Sequence, residues 1–374
     1  MPKKNILLLY ITEVSGHHSA TIAIEKSLKL LSGDLKILNL NAFRYTSPIS
    51  EKIVNRIYGA VIKRTPKIWD FVYDNIQVKK SIDKFKNAVN KLNSPKLKKL
   101  FEQFHPDVIV CTQAYPCWMV SEFKKTYESK IPLVAVLTDY VPHAYWLYDN
   151  VDYYVCPSEE ISQRLTKKGI PHHKIKTFGI PFDPAFTAGV NKAAVWEKLS
   201  LIPEKKTILI MGGGQGLGPI KTIVHSLDKV KADFQEIIVT GTNKKLYKSL
   251  KKDLKKFKKK ICLLGYAHNV NELMSVSDLI ITKPGGITTS EALSKGLPML
   301  IIKPIPGQEA NNTIYLTEQK AAVKIDKPKK INLIVEDLFT NPEKLKRLSE
   351  ACSRISKPNA GLDIARFILN LCHV

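Results

Sequence analysis

The sequence predicts an α/β protein made of two Rossmann-like, doubly wound domains. Short runs rich in Ile, Leu and Val alternate with helical periodicity almost from end to end. These runs are continuous rather than alternating, the mark of parallel strands covered on both faces. They also form two series, parted by a cluster of Gly179, Pro181, Pro184 and Pro203. A chain of 374 residues is long enough for two domains of about 150–200 residues each.

The first series opens with the buried-strand run Asn5–Ile11, followed by a helix over Ser19–Leu31 with Ile22, Ala23, Leu28 and Leu31 on one side. Val108–Cys111, Leu133–Leu137, Asp152–Cys156 and Lys174–Phe178 are its further strands. The second series runs through Thr207–Met211, Glu236–Thr240, Ile261–Leu264, Leu279–Thr282 and Met299–Ile302, with helical patterns between them. The expected division is an N-terminal domain over 1–180 and a C-terminal domain over 181–356. Residues 357–374 hold a last helix, amphipathic over Gly361–Leu371; either domain can receive it, and it is assigned here to the N-terminal one.

Composition narrows the function. The longest apolar run, Ile6–Ile11, is six residues, whereas a spanning helix needs about 20. That run is also too short for a secretory core, and no small-residue cleavage site follows it, so the expectation is a protein of the cytoplasm. Lys and Arg number 58 against 34 Asp and Glu, a net charge of +24, which calls for a polyanionic partner: nucleic acid or an anionic membrane face. The six cysteines form no C-x-x-C pair and read as reduced thiols. The histidines show no H-x-x-x-H or H-E-x-x-H spacing, so no metal site is expected.

Two segments concentrate the positive charge. Residues 50–104 hold 13 Lys/Arg and 5 Asp/Glu, interleaved with Tyr58, Trp69, Phe71 and Tyr73. Such a stretch fits an interfacial membrane element, with cations on anionic headgroups and rings at their level. It fits equally an ordinary helix pair with a core side and solvated lysines. Lys244–Lys260 carries ten lysines and one aspartate, with Leu246, Leu250, Leu254 and Phe257 on one stripe. That pattern favours a solvated helix face beside a sheet.

Three turns carry candidate chemistry. The first strand leads into Thr12–Ala20, and in a doubly wound fold this turn faces the crevice at the strand ends. Gly16 allows a tight turn, and His17 starts the next helix with a pKa naturally near neutrality. His17 is thus a candidate for chemistry, or a mere helix cap. Gly212, Gly213, Gly214 and Gln215 follow the first strand of the second series, where bare backbone amides can approach a phosphate. Leu217 and Pro219 spoil G-x-G-x-x-G, and no Gly-Lys-Ser/Thr follows, so nicotinamide and P-loop readings lose ground. The third turn is the fullest. Gly285 and Gly286 end a strand, and Thr288 and Thr289 offer hydroxyls at a helix start, suited to a diphosphate. Glu291 can take two ribose hydroxyls, and Gln308 and Glu309 further hydroxyls after the next strand. A phosphate site, a ribose carboxylate and a polyhydroxyl site describe a nucleotide-sugar pocket.

The run Thr282–Asn312, with Gly212–Ile220 and Gly16–Ala20, resembles the family of monogalactosyldiacylglycerol synthases and processive diacylglycerol glucosyltransferases, relatives of the N-acetylglucosaminyl transferase of peptidoglycan precursors. Thr138-Asp139-Tyr-Val-Pro-His143-Ala-Tyr-Trp146 is similar to the family's Thr-Asp segment, and Gly179-Ile-Pro181 to its interdomain motif. The resemblance spans essentially the whole chain. It implies the B-type glycosyltransferase fold, two domains facing a cleft, with inverting, metal-independent transfer from a UDP-hexose to membrane diacylglycerol. In one departure, the peptidoglycan enzyme's glycine-rich first loop is replaced by Val14-Ser15-Gly16-His17, which argues against a lipid diphosphate acceptor.

The combined reading is a peripheral enzyme on the cytoplasmic face of the membrane. Gly212–Gly214, Thr288 and Thr289 hold the phosphates, Glu291 the ribose, and Gln308 and Glu309 the hexose. His17 is the candidate general base, with Asp139 its rival or orienting partner. Lys63, Arg64, Lys67, Trp69 and Phe71, with His143 and Trp146, form the expected membrane and acceptor contact. The partners are UDP-glucose or UDP-galactose, diacylglycerol and anionic lipids, with no resident cofactor. Two rivals remain: a nonhydrolysing UDP-sugar epimerase, which needs no membrane segment, and a basic nucleic-acid-binding protein, for which no binding motif is present.

Overall fold

A computed structural model describes residues 3–13, 15–46, 94–141 and 146–372. Lys63, Arg64, Lys67, Trp69, Phe71 and His143 lie outside the described residues. The chain divides into two compact units, one comprising residues up to Pro184 with Ile305–Gln308 and the segment from Asn359 onward, the other Ala185–Pro304 with Glu309–Pro358.

The first unit is a sheet of six parallel strands: β1 (Lys4–Tyr10), β2 (Leu35–Asn41), β3 (Val108–Cys111), β4 (Leu133–Val136), β5 (Tyr153–Val155) and β6 (Ile175–Lys176), in the order β2-β1-β3-β4-β5-β6. Successive side chains point to opposite faces, so β1 serves two cores. Leu7 and Leu9 join Ile109, Trp118 and Phe123 on one side; Ile6 and Leu8 join Val108, Val134, Ile24 and Leu28 on the other. All four of those β1 residues are at most 1% exposed, and each such burial contributes roughly 1.5–3 kcal/mol. The helical residues 94–104 place Leu97, Leu100, Phe101 and Phe104 in the first core, so the end of the basic segment is an ordinary core helix. The last helix, Ala360–Leu371, covers the second core beside the helix Gly16–Leu31. Gly361 permits that approach, since a Cβ there would stand 2.6 Å from Ser27 Oγ.

The second unit repeats the plan with β7 (Lys206–Met211), β8 (Phe234–Val239), β9 (Lys260–Leu264), β10 (Leu279–Thr282), β11 (Met299–Ile302) and β12 (Ala322–Ile325), in the order β12-β11-β10-β7-β8-β9. Strand order reverses between β1 and β3 in the first sheet and between β7 and β10 in the second. In such sheets ligands bind outside the carboxyl ends of the strands flanking the reversal. The helix Lys244–Asp253 lies beside this sheet; Leu250 is buried, Leu246 and Phe257 pack on the core, and Lys244, Lys245, Lys248, Lys251 and Lys252 are exposed. Among the described residues no helix is long and apolar enough to cross a membrane.

Two strands depart from the expected series. β2 and β12 are outer strands, partly exposed, with polar residues among the apolar ones. A search for continuous apolar runs passes over them, because Lys36 and Asn39 interrupt β2 and Lys324 interrupts β12.

Candidate active site

At the carboxyl end of β7 the chain folds tightly back on itself. Leu217 N donates to Gly212 O at 2.9 Å, and a Cβ on Gly212 would meet Leu217 O at 1.9 Å. Gly216, with φ +57°, presses on the loop after β8; a Cβ there would lie 2.0 Å from Thr240 O. That loop answers with Thr242 N donating to Gly214 O at 2.9 Å. Gly212 is buried and closes the turn, so it packs the loop besides standing at the expected phosphate site. Gly214 and Gln215 are exposed and Gly213 half-buried. Among the described residues the amides of Gly213 and Gly214 donate to no backbone carbonyl.

At the neighbouring end of β10, Gly285 N donates to Lys283 O at 3.0 Å and the helix Gly286–Ser294 begins with no side-chain cap. Its first amides are unpaired within the helix and carry the positive end of its dipole. Thr288 is half-buried there, but Thr289 is 0% exposed and among the described residues its Oγ1 has no partner. Thr289 therefore faces the interior and is corrected away from the phosphates; one residue along a helix turns the side chain by about 100°. Glu291 is half-buried on the same helix. Asn312 Nδ2 donates to Pro284 O at 3.0 Å and fixes the turn.

The residues after β11 are more committed than expected. Glu309 Oε1 lies 3.0 Å from Lys283 Nζ, both side chains below 20% exposure, so any sugar hydroxyl must share this carboxylate with a cation. Gln308 Nε2 donates to Asp139 Oδ2 at 2.7 Å, joining a residue expected on the hexose to one expected at the base. Lys283 and Asn312 lie within the run Thr282–Asn312 but carry no role in the sequence reading, although Lys283 is the first residue past its strand.

In the first unit Ser15 caps the helix Gly16–Leu31, accepting from His18 N at 3.2 Å. His18 stacks on Tyr10 with ring centroids 4.1 Å apart, and its Nδ1 lies 2.7 Å from Glu13 O. His17 points elsewhere. Its Nδ1 lies 2.9 Å from Thr112 O, just past β3, and 2.8 Å from Thr138 Oγ1, just past β4. Burial pulls the imidazole down from 6.5 to about 4, against the opposing pull of the Thr112 carbonyl. The near-neutral expectation for His17 is therefore corrected, because desolvation by burial disfavours its cation. Asp139 is half-buried. Trp146 is 2% exposed within the first core, so its indole packs the fold and is not an exposed acceptor contact. Thr112 was not foreseen, although it follows β3, the strand paired with β1, whose turn singled out His17.

Two parallel six-stranded sheets with these loops at their carboxyl ends define a B-type glycosyltransferase fold. The solved structure of MurG from Acinetobacter baumannii has this fold, with a TM-score of 0.65 at 12% identity, covering 98% of this chain and 99% of that one. A UDP-GlcNAc 2-epimerase from Neisseria meningitidis, solved with UDP-GlcNAc, shares it with a TM-score of 0.58 at 17% identity, covering 98% and 99%. Residues 17–182 match the monogalactosyldiacylglycerol (MGDG) synthase family, and residues 207–360 the C-terminal domain of glycosyltransferase family 28. A processive diacylglycerol beta-glucosyltransferase of Bacillus licheniformis is 30% identical over 361 residues, 96% of this chain and 92% of that one. The enzyme of the same name from Bacillus subtilis (strain 168) is 29% identical over 372 residues, 98% and 95% of the two chains. The chain belongs to the family of processive diacylglycerol β-glucosyltransferases, and it is a glycosyltransferase.

Proposed function

We propose that the protein transfers glucose from UDP-glucose to the free hydroxyl of membrane diacylglycerol, with inversion at the anomeric carbon and without a metal. The similarity to diacylglycerol glucosyltransferases along 96% of the chain carries this reading, and it favours glucose over galactose. In the proposed step the acceptor oxygen forms a bond to C1 of the glucose as the C1–O bond to the diphosphate breaks. UDP leaves with that electron pair, and the acceptor's proton passes to His17. The amides of Gly213 and Gly214 and the amides opening the helix at Gly286 supply fixed donors for the departing charge, the role a metal plays elsewhere. Glu291 takes the ribose hydroxyls. Mass spectrometry of lipids after incubation with UDP-glucose or UDP-galactose on diacylglycerol vesicles tests the proposal, with and without chelator. A β-linked glucolipid formed from UDP-glucose in either condition is expected. A UDP-sugar epimerised without lipid product would overturn it.

Two further outcomes follow from this assignment. Glu291→Ala should weaken UDP binding by about 1–3 kcal/mol, the scale of a charged hydrogen bond left unmade; calorimetry showing unchanged affinity removes Glu291 from the site. Exchange of Lys63, Arg64 and Lys67 for Gln should release the protein from phosphatidylglycerol vesicles, since each basic residue near an anionic bilayer contributes about 1 kcal/mol. Raised salt should mimic that change. A triple variant that still floats with vesicles at moderate ionic strength places the membrane contact elsewhere.

A further inference from the structure

A carbonyl oxygen can only accept a hydrogen bond. The 2.9 Å contact between His17 Nδ1 and Thr112 O is therefore bonding only when Nδ1 carries the hydrogen. In the other tautomer a ring lone pair would face the carbonyl lone pairs at that distance. Thr138 Oγ1, 2.8 Å from the same nitrogen, adds a second acceptor. Thr112 also grips the residue from behind, its Oγ1 donating to His17 O at 2.9 Å. Thr112 is 0% and Thr138 4% exposed, and they follow the adjacent strands β3 and β4, so the clamp is anchored in the sheet and shielded from competing water. Both oxygens on Nδ1 are neutral.

We propose that Thr112 and Thr138 are positioning residues that hold His17 as the Nδ1–H tautomer and so present Nε2 as the atom that accepts the proton of the acceptor hydroxyl. The inference deepens the function proposed above and rests on it for the proton's origin. The Nε2 lone pair is available only because Nδ1 is spoken for. When the acceptor oxygen bonds to the sugar, its O–H electrons remain with oxygen and the proton adds to Nε2, giving an imidazolium that Thr112 O and Thr138 Oγ1 steady through the shared Nδ1–H. Loss of the Thr138 hydroxyl leaves the ring one acceptor short at the moment it becomes charged.

The test uses the full chain with 15N-labelled histidine. Long-range 1H–15N correlation reads the tautomer directly, and the His17→Ala spectrum identifies the signal. A protonated Nδ1 beside an unprotonated Nε2 is expected; an Nε2–H ring, or an even mixture, overturns the clamp. Thr138→Val should lower kcat roughly tenfold, the scale of one hydrogen bond to a charged group, without raising KM for UDP-glucose. Thr138→Ser should restore it. A Thr138→Val enzyme with parental kcat overturns the role of Thr138, as does a loss of kcat that Ser fails to rescue. Parental turnover in His17→Ala, when the unsubstituted protein shows the Nδ1–H tautomer, would instead overturn the assignment of His17 as base, so the two failures are told apart.

Discussion

Replacement of His17 by alanine is expected to cut turnover by roughly 10²–10⁴, the range removed with a general base, while UDP affinity is retained. The separation arises because His17 stands in the first turn of the helix Gly16–Leu31 that follows β1, whereas the glycine turn and the Gly286 helix start belong to the other unit. The same residue gives a pH signature. Burial holds the imidazole at about 4 rather than 6.5. A base acts only when unprotonated, so the acidic limb of kcat/KM should fall toward pH 4 and activity should persist below the pH at which an ordinary histidine is lost. Glu13 and His18, the titratable side chains of the same loop, are tied to Tyr10 and to the loop backbone. The rival base, Asp139, has Oδ2 occupied by the Gln308 amide, which fits a structural role better than a proton acceptor. Parallel assays of His17→Ala and Asp139→Asn decide: survival of the first with collapse of the second would move the base to Asp139.

The central strands were legible because burial on both faces leaves a continuous apolar run. Val108–Cys111, Leu279–Thr282 and Met299–Ile302 occupy the limits their hydrophobicity suggests. β2 and β12 were not, because Lys36 and Asn39 in the one and Lys324 in the other break the apolar run. The site divides in a similar way. Glycine turns and helix starts announce themselves, so the loops after β1, β7 and β10 could be found from local signals alone. Which residue of a loop faces the ligand depends on partners far away in sequence. Gly212 is claimed by Leu217, Glu309 by Lys283, and Gln308 by Asp139, 169 residues distant. The surroundings of His17 likewise come from afar: Thr112 has no signature of its own, and Thr138 is marked only as part of the Thr-Asp segment.

A pH-dependent gain in stability is expected when Glu236 becomes glutamine. Glu236 lies on β8 between Ile208 of β7 and Ile261 of β9 and is 0% exposed. It shares its sheet face with Phe234 and Ile238, both in the core, and among the described residues neither carboxyl oxygen has a hydrogen-bond partner. Burial pushes this carboxyl from 4.5 up to about 8; the nearby Asp228 charge adds to the rise and Lys259 opposes it. Lys259 is itself engaged, its Nζ 2.6 Å from Ala232 O and 4.6 Å from the Phe234 ring centre. The native state therefore holds a proton that the unfolded chain has lost across that interval. The contribution of Glu236 to stability must fall as pH rises from 4.5 toward 8, by up to about 1.4 kcal/mol per pH unit, and level off above. Glutamine does not titrate, so Glu236→Gln should escape the decline. Compared between about pH 5 and about pH 8, its advantage over the parent should grow by an amount on the order of a few kcal/mol. Any cost of burying the amide is the same at both pH values and cancels in that comparison. Glu236→Leu removes the unpartnered polar group altogether and should lose the same pH-dependent contribution. Urea midpoints at the two pH values give the answer: parent and glutamine variant declining in parallel would mean that Glu236 is already ionised in the folded protein, paired with a charge that offsets its burial.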